Sequence, residues 1–312
     1  MFDSPLSASA YDVLGVEPSA DEESLRKAYR LRLRQTHPDT GGDAAVFIQV
    51  QRAWELVGTV DARAAYDRGH GFAYAPAADG STAPAGWRAA SRPADTRPRA
   101  RSFGQPGGWR RERYLDLIRE WVGRGVTVDD PYDPALVRSA PRHLRRMLAD
   151  ALAEEATARV VSDLGMGYTV WHDVAAPVRG GTGDDKLDHI VLSPSGLYVI
   201  LSEDFGGPVG VRRGELTGDA VPGAPVAELL ARTRLVARAA GVRFSGAIIV
   251  LPDEDLLQPV TEFGRVRGIP VVLVARGALA NVLRQGLPGA RSIGGNEIFD
   301  VRTRLQQAVR FV

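Results

Sequence analysis

The chain has 312 residues, a formal net charge of +1 and no cysteine. Its length favours two domains, and the lack of cysteine excludes disulfides and cysteine-bearing zinc sites. The near-neutral charge argues neither for nor against binding to nucleic acid. The sequence contains no apolar run of the roughly 18 residues that a membrane span needs, and residues 1–4 lack the basic start of a signal peptide. We therefore expect a cytoplasmic protein without a membrane partner.

Residues 7–70 predict a small all-α domain built on a helical hairpin. Asp21 is placed to cap the N-terminus of one helix. That helix should end at His37, because Pro38 disfavours helical geometry at the residue before it. A second helix, around residues 47–57, repeats apolar residues at a spacing of three to four and should pack against the first. The pattern predicts a hairpin whose tip is the tripeptide His37-Pro38-Asp39.

The first helix of this hairpin is strongly basic. Arg26, Lys27, Arg30 and Arg34 lie within nine residues. Like charges four residues apart on a helix each cost roughly 0.2–0.5 kcal/mol. Because this cost is repeated along one face, the pattern favours an acidic partner over a merely solvated surface.

This array, followed by Arg63 and by Tyr66-Asp67, resembles the J domain of the DnaJ-type co-chaperones. The resemblance implies that the basic helix docks on an ATP-dependent, DnaK-type chaperone and that the His-Pro-Asp loop triggers ATP hydrolysis there. It assigns docking to Arg26, Tyr29, Arg30 and Arg34, and stimulation to His37, Pro38 and Asp39. Arg32 and Thr36 depart from the family, which usually has an apolar and an aromatic residue there, so the helix end should be packed more loosely.

Residues 71–108 have the composition of a disordered linker. Five prolines are scattered among Ala, Gly and Ser without a periodic apolar pattern, which is typical of a flexible segment. Five arginines against two aspartates make its charge 5 − 2 = +3. Weak electrostatic binding to nucleic acid or to a membrane is an alternative to simple solvation of these charges.

The rest of the chain predicts a connecting helical segment at 109–138 and an α/β domain at 139–312. Ser139, with Pro141 close behind it, should start a long helix that runs to about Leu164. Short β-like runs follow, then a helix near 226–240, further strands and two more helices. This order predicts a mixed sheet flanked by helices.

Residues 186–200, with the sequence KLDHIVLSPSGLYVI, resemble the nuclease-related (NERD) domain, a branch of the PD-(D/E)XK nuclease superfamily. The match spans about residues 149–287 and implies a restriction-endonuclease-like fold. It also implies a site made of an Asp on one strand, an acid-x-Lys pair on the next, and a helix carboxylate. In such a site the carboxylates hold a divalent metal, usually Mg²⁺, and the Lys helps to orient water.

The chain supplies only part of that site. Asp188 occupies the Asp position, and Glu154 lies on an apolar helix stripe, so its side chain should point inward. The acid-x-Lys pair, however, falls on Leu201-Ser202-Glu203, where Leu cannot ligate a metal and Glu203 has the wrong charge for the lysine role. We therefore expect a degenerate nuclease that is not an enzyme and holds no cofactor.

Two alternatives remain open for these residues. In a rearranged nuclease, Lys186 would share a strand face with Asp188, Glu203 would be the second carboxylate and Mg²⁺ the cofactor. In the other alternative, Lys186 and Asp188 form a simple surface pair. His172 and His189 each lack a second ligand at useful spacing and are interpreted as structural histidines.

These features predict a co-chaperone that binds and stimulates a DnaK-type ATPase. Its nuclease-like domain would bind an unknown client, a partner or nucleic acid. The competing predictions are a metal-dependent nuclease with an accessory J domain, and a C-terminal domain that is only a structural partner-binding module.

Overall fold

The computed structural model describes residues 9–37, 44–70, 98–123, 125–178, 183, 185–218 and 220–312. The helices are α1 (Ala10–Leu14), α2 (Glu22–Thr36), α3 (Ala44–Val57), α4 (Val60–His70), α5 (Gly108–Val122), α6 (Pro134–Ser139), α7 (Arg142–Ser162), α8 (Pro225–Ala240), α9 (Leu279–Gln285) and α10 (Glu297–Ala308). The strands are β1 (Arg101–Phe103), β2 (Thr169–Ala175), β3 (Lys186–Ser193), β4 (Gly196–Ser202), β5 (Gly210–Arg212), β6 (Glu215–Thr217), β7 (Gly246–Leu251), β8 (Val260–Val266) and β9 (Ile269–Ala275). No helix in the described ranges is long and apolar enough to cross a membrane.

The first four helices pack around a small core of their own. Asp21 caps α2, and its side chain accepts a hydrogen bond from the main-chain N–H of Ser24 at 2.7 Å. The core consists of Ala10, Tyr11, Leu14, Leu25, Val50, Ala53, Val57 and Tyr66. α2 ends at Thr36, and His37 has an extended conformation, as a following proline demands. The predicted helical hairpin is confirmed.

The second domain is a seven-stranded mixed sheet in the order β1-β2-β3-β4-β7-β9-β8. β2, β3 and β4 form an antiparallel meander, and α8 then crosses over so that β7 pairs in parallel with β4. Apolar side chains of α8 and α10 cover one face of the sheet. Side chains of α7 and α9 cover the other, and α5 packs on the outside of α7. The predicted α/β domain with a mixed sheet flanked by helices is confirmed.

The side-chain alternation of β2 and β3 is broken at one point. Trp171 and Val174 lie three residues apart on β2, yet both belong to the core under α8 and α10; Leu187 and Ile190 repeat this on β3. The break coincides with Asp173, a non-glycine residue with a φ of 50°, which L-residues seldom adopt. The consequence is that consecutive polar residues of each strand, rather than alternate ones, face α7.

The two domains touch through α3. The Arg52 guanidinium donates a hydrogen bond to the main-chain oxygen of Asp253 at 3.1 Å. Asp253 begins the acidic 3₁₀ turn Asp253–Asp255, which follows β7. This contact involves the helix next to α2 and leaves the basic face of α2 exposed to solvent.

Two boundary predictions are corrected by the structure. The linker predicted for 71–108 is too long, because residues 101–103 form β1, which pairs in parallel with β2, and α5 begins at Gly108. Composition alone could not reveal this pairing, since its partner strand lies far along the chain.

The long helix does not start at Ser139, which is the last residue of α6. Instead α7 begins after Pro141, whose fixed φ suits a helix start.

Candidate functional site

The basic face of α2 is exposed to solvent. Arg26, Lys27, Arg30 and Arg34 are all exposed, whereas Leu25 is buried in the domain core. Arg26 pairs with Glu22 at 2.5 Å, one turn earlier on the helix. The cationic side chains are therefore concentrated on a surface that the domain itself does not cover.

Aromatic contacts hold the end of this surface in place. Tyr29 stacks on Trp54 of α3, with ring centroids 4.5 Å apart, and is only partly exposed. The ring of His37 meets Phe47 edge to face at 5.0 Å. Pro38 and Asp39 lie outside the described residues. Tyr29, which the sequence predicts to be a docking residue, thus also packs against α3, and the His37 ring is anchored to the second helix of the hairpin.

Arg63 on α4 forms hydrogen bonds to α1 and to the loop before α2. Its guanidinium donates to the main-chain oxygens of Pro18 and Ala20 at 2.8 and 2.7 Å, and to the hydroxyl of Tyr11 at 3.0 Å. The Tyr11 hydroxyl in turn donates to Asp67 at 2.6 Å. Burial and the hydrogen bond to Asp67 raise the pKa of Tyr11. This network gives Arg63 and Asp67 a structural role, because they connect α4 to α1 and to the loop before α2.

The second charged site is a buried ion cluster centred on Lys186. Its ammonium group donates to Glu154 at 2.6 Å, to Asp173 at 2.6 Å and to Asp188 at 3.1 Å. Lys186 is 2% exposed and Glu154 fully buried. The other oxygen of Asp188 accepts the main-chain N–H of Ser202 at 2.9 Å. Lys186 and Asp188 therefore do share a strand face, and the prediction that Glu154 points inward is confirmed.

Two arginines extend the cluster towards the surface. Arg110, from the first turn of α5, lies 2.8 Å from Asp150, 2.9 Å from Glu154 and 3.5 Å from Glu203. Arg146 on α7 donates to Glu203 at 3.0 Å. Glu203 therefore does not reach Lys186 directly and joins the cluster through Arg110.

The start of α5 closes over the same carboxylates. The main-chain N–H of Gly107 donates to Glu154 at 3.1 Å, and that of Trp109 donates to Asp173 at 3.4 Å. Arg111 also pairs with Glu155. The positive end of a helix thus adds to the cationic side chains that face this group of acids.

The charges of the cluster shift the pKa values of its members in opposite directions. Burial opposes the charged form of Lys186, but attraction by Asp188 and Glu154 more than offsets it, so the pKa of Lys186 is raised. Burial likewise opposes ionisation of Asp188, yet Lys186 and Arg110 hold its pKa below the usual range. Burial and the nearby Asp188 raise the pKa of Glu154. Since five carboxylates face three cations, the raised pKa of Glu154 limits the excess of negative charge.

A pair of histidines lies beside the cluster. The Nδ1 atoms of His172 and His189 are 2.7 Å apart. His172 Nε2 is 2.9 Å from Ser102 Oγ, and His189 Nε2 is 3.1 Å from Ser202 Oγ, which donates to Thr157. With both rings neutral, all these contacts can be hydrogen bonds that run in one direction. Ser102 then donates to His172, His172 to His189, His189 to Ser202, and Ser202 to Thr157. Burial lowers the pKa of His172 to about 4. Both histidines have the hydrogen-bond partners expected of structural residues.

The structure thus unites three of the four predicted nuclease residues, Glu154, Lys186 and Asp188, and brings Glu203 to the rim of their cluster. Sequence analysis missed Asp173, Arg110, Arg146 and Asp150. A signal for the last two exists, because Arg146, Asp150 and Glu154 follow at a spacing of four on α7 and share one face. No comparable signal exists for Arg110, whose helix meets the domain only in three dimensions.

The residues present do not fit a divalent metal ion such as Mg²⁺. At the acid-x-Lys position, Leu201 is part of the apolar core and Glu203 pairs with Arg146. Lys186 stands between the remaining carboxylates. Within the described ranges, no group of three or more His, Asp or Glu side chains is arranged to hold a metal.

Comparison with known proteins agrees with this division of the molecule. Residues 9–67 match the model of the DnaJ domain, and residues 149–238 match that of the nuclease-related domain. No solved structure matches the chain. The protein thus combines a DnaJ domain with a nuclease-related domain.

Several known proteins resemble the first of these domains. The chaperone protein DnaJ of Prochlorococcus marinus is 44% identical over 64 residues, which are 20% of this chain and 17% of that protein. DnaJ protein homolog 2 of Allium porrum is 41% identical over 58 residues, 19% of this chain and 14% of that protein. A tetratricopeptide repeat and J domain-containing co-chaperone of Mycosarcoma maydis is 38% identical over 63 residues, 20% of this chain and 11% of that protein. The chain spans less than a fifth of the length of these relatives.

Proposed function

We propose that this protein is a co-chaperone that acts in the cytoplasm, where it binds a DnaK-type chaperone and stimulates its ATPase. The basic face of α2 would dock on the chaperone through Arg26, Tyr29, Arg30 and Arg34, and His37, Pro38 and Asp39 would trigger hydrolysis. The observation that supports this most is the exposed cationic face, which ends at a histidine anchored on Phe47. Such a surface suits an acidic partner, because complementary charge steers association and sets orientation.

The nuclease-related domain would then select where the activation takes place. It would bind a client, a partner protein or nucleic acid without cleaving it. The ion cluster supports this view, because the carboxylates that would otherwise be available to a metal are already paired with Lys186 and Arg110. We accordingly propose that the domain is not an enzyme.

The test is ATPase stimulation by the full chain and its His37→Gln variant. The wild type should accelerate the steady-state ATPase of a DnaK-type chaperone, and His37→Gln should return the rate to that of the chaperone alone. His143→Gln, at an exposed histidine of α7, is the matched control and should stimulate like the wild type. Equal stimulation by His37→Gln, or none by the wild type, would contradict the proposal.

The second candidate is a metal-dependent nuclease, and it is favoured by the convergence of Glu154 and Asp188 on one lysine. It is tested by incubating the full chain with labelled single- and double-stranded DNA in Mg²⁺ or Mn²⁺. We expect no cleavage. Cleavage that disappears in Asp188→Asn would establish the nuclease, whereas cleavage that persists in this variant would indicate contamination.

A further inference from the structure

The ammonium group of Lys186 lies between three buried carboxylates. Three carboxylates, from helix α7 and from the neighbouring strands β2 and β3, each direct one oxygen at it. The distances of 2.6, 2.6 and 3.1 Å are those of charge-assisted hydrogen bonds. An ammonium group has three N–H donors, and each of the three has its own carboxylate.

The backbone of β2 departs from regular strand geometry next to this lysine. Asp173 faces α7 because the alternation of β2 is broken at this residue, whose φ is 50°, and Asp188 lies on the same face of β3 as Lys186. A residue held in such a conformation normally has a compensating interaction. Here that interaction is the pairing of Asp173 with Lys186. Without a central cation, three buried carboxylates would repel one another at close range.

We propose that Lys186 is a built-in cation that replaces a divalent metal ion between Glu154, Asp173 and Asp188, and that removing its side chain opens a divalent-cation site. Hard divalent cations take oxygen ligands at about 2.0–2.6 Å, so a metal and the ammonium group cannot occupy this space together. The inference deepens the proposed loss of nuclease activity and is independent of the co-chaperone role.

The experiment is a Mn²⁺ titration of the full-length Lys186→Ala variant, with free Mn²⁺ measured by electron paramagnetic resonance. The variant should bind one equivalent with a Kd of about 0.1–1 mM, the range of weak oxygen-ligand sites. The wild type should bind none at these concentrations. The chain has only one other lysine, so Lys27→Ala on the exposed face of α2 is the matched control and should behave as the wild type. Adding Asp188→Asn to Lys186→Ala should abolish binding.

Two results would overturn the proposal. One is stoichiometric Mn²⁺ binding by the wild type that is lost in Asp188→Asn, and the other is a folded Lys186→Ala variant that binds no Mn²⁺. If this variant is unfolded without metal, Mn²⁺ should restore its folded circular dichroism spectrum, and failure to do so would also overturn the proposal. These outcomes are separate from ATPase stimulation, which depends on His37.

Discussion

The charged side chains of the two domains differ in their exposure to water. On α2 the arginines are exposed, and Glu22, which pairs with Arg26, is itself exposed to water. In the second domain, Lys186 and its carboxylates are removed from water and bonded to one another. Exposed charges contribute little to stability but remain available to a partner. Buried charges are available to no partner, and breaking one pair leaves the other charge without solvation.

The difference separates a region whose charges can contact another molecule from one whose charges contact only each other. Both look like functional sites in the sequence, since each combines a family resemblance with ionisable residues. Only the first presents its groups on the surface. In the second, Arg110 and the N–H groups of Gly107 and Trp109 close over the carboxylates. Three experiments separate the two regions.

The largest effect is expected from Lys186→Met. Loss of the ammonium group leaves buried carboxylates unpaired and should lower the free energy of unfolding of the second domain by about 3–5 kcal/mol. Arg291→Met provides the control, because Arg291 pairs with Glu297 at the same 2.6 Å but on the surface. Its effect should not exceed about 1 kcal/mol. Urea unfolding followed by tryptophan fluorescence measures both, and equal losses would show that burial does not distinguish the pairs.

The next effect is a pH dependence due to His172. Burial lowers its pKa from an unfolded value of 6.5 to about 4, so the unfolded chain takes up this proton first as the pH falls. Its contribution to stability is complete above pH 6.5 and is lost between pH 6.5 and about 4. The total is about 3 kcal/mol.

His172→Gln should therefore flatten the stability curve in this interval. The raised pKa values of Glu154 and Asp150 act in the opposite direction, because those groups bind protons first in the folded state. Comparing the variant with the wild type at each pH removes their contribution from the result. His143→Gln should leave the curve unchanged. If stability falls with pH as steeply in His172→Gln as in the wild type, burial of His172 is not the cause of this pH dependence.

The smallest effect is expected from Arg30→Ala on the exposed face of α2. It should raise the concentration needed for half-maximal ATPase stimulation about 2–5-fold, equivalent to the roughly 0.5–1 kcal/mol of an exposed ion pair. The free energy of unfolding should change by less than about 0.5 kcal/mol. Arg142→Ala, at an exposed position of α7, should change neither quantity. If Arg30→Ala lost stability but stimulated the ATPase like the wild type, Arg30 would be a structural residue and not a docking residue.

Much of the site follows from periodicity in the sequence. The spacing of two between Lys186 and Asp188 predicts a shared strand face, and the apolar stripe of α7 predicts that Glu154 points inward. Both relations need only the local repeat of a regular strand or helix. The basic face of α2 follows in the same way from the spacing of its arginines.

The rest of the site depends on departures from regularity and on distant contacts. Strict alternation would place Asp173 on the same face as Trp171, and only its positive φ turns it towards Lys186. Arg110 enters the cluster because α5 packs on α7, a contact between residues some 40 positions apart. β1 was missed because a three-residue strand has no pattern of its own and is defined by its pairing with β2.

The outer edge of β2 is closed by two short segments rather than by one strand. Arg101–Phe103 pairs with its first half, and the carboxyl-terminal residues pair with its second half. There the main-chain N–H of Ala175 donates to the main-chain oxygen of Arg310 at 2.8 Å, and the N–H of Val312 donates to that of Asp173 at 3.1 Å. A long uncovered strand would be a template for a second chain and so for aggregation. Neither covering segment exceeds three residues, and each contains an arginine, so this side of the sheet gives an incoming strand little to extend. The arrangement therefore limits edge-to-edge pairing with a second chain at the strand that bears Asp173.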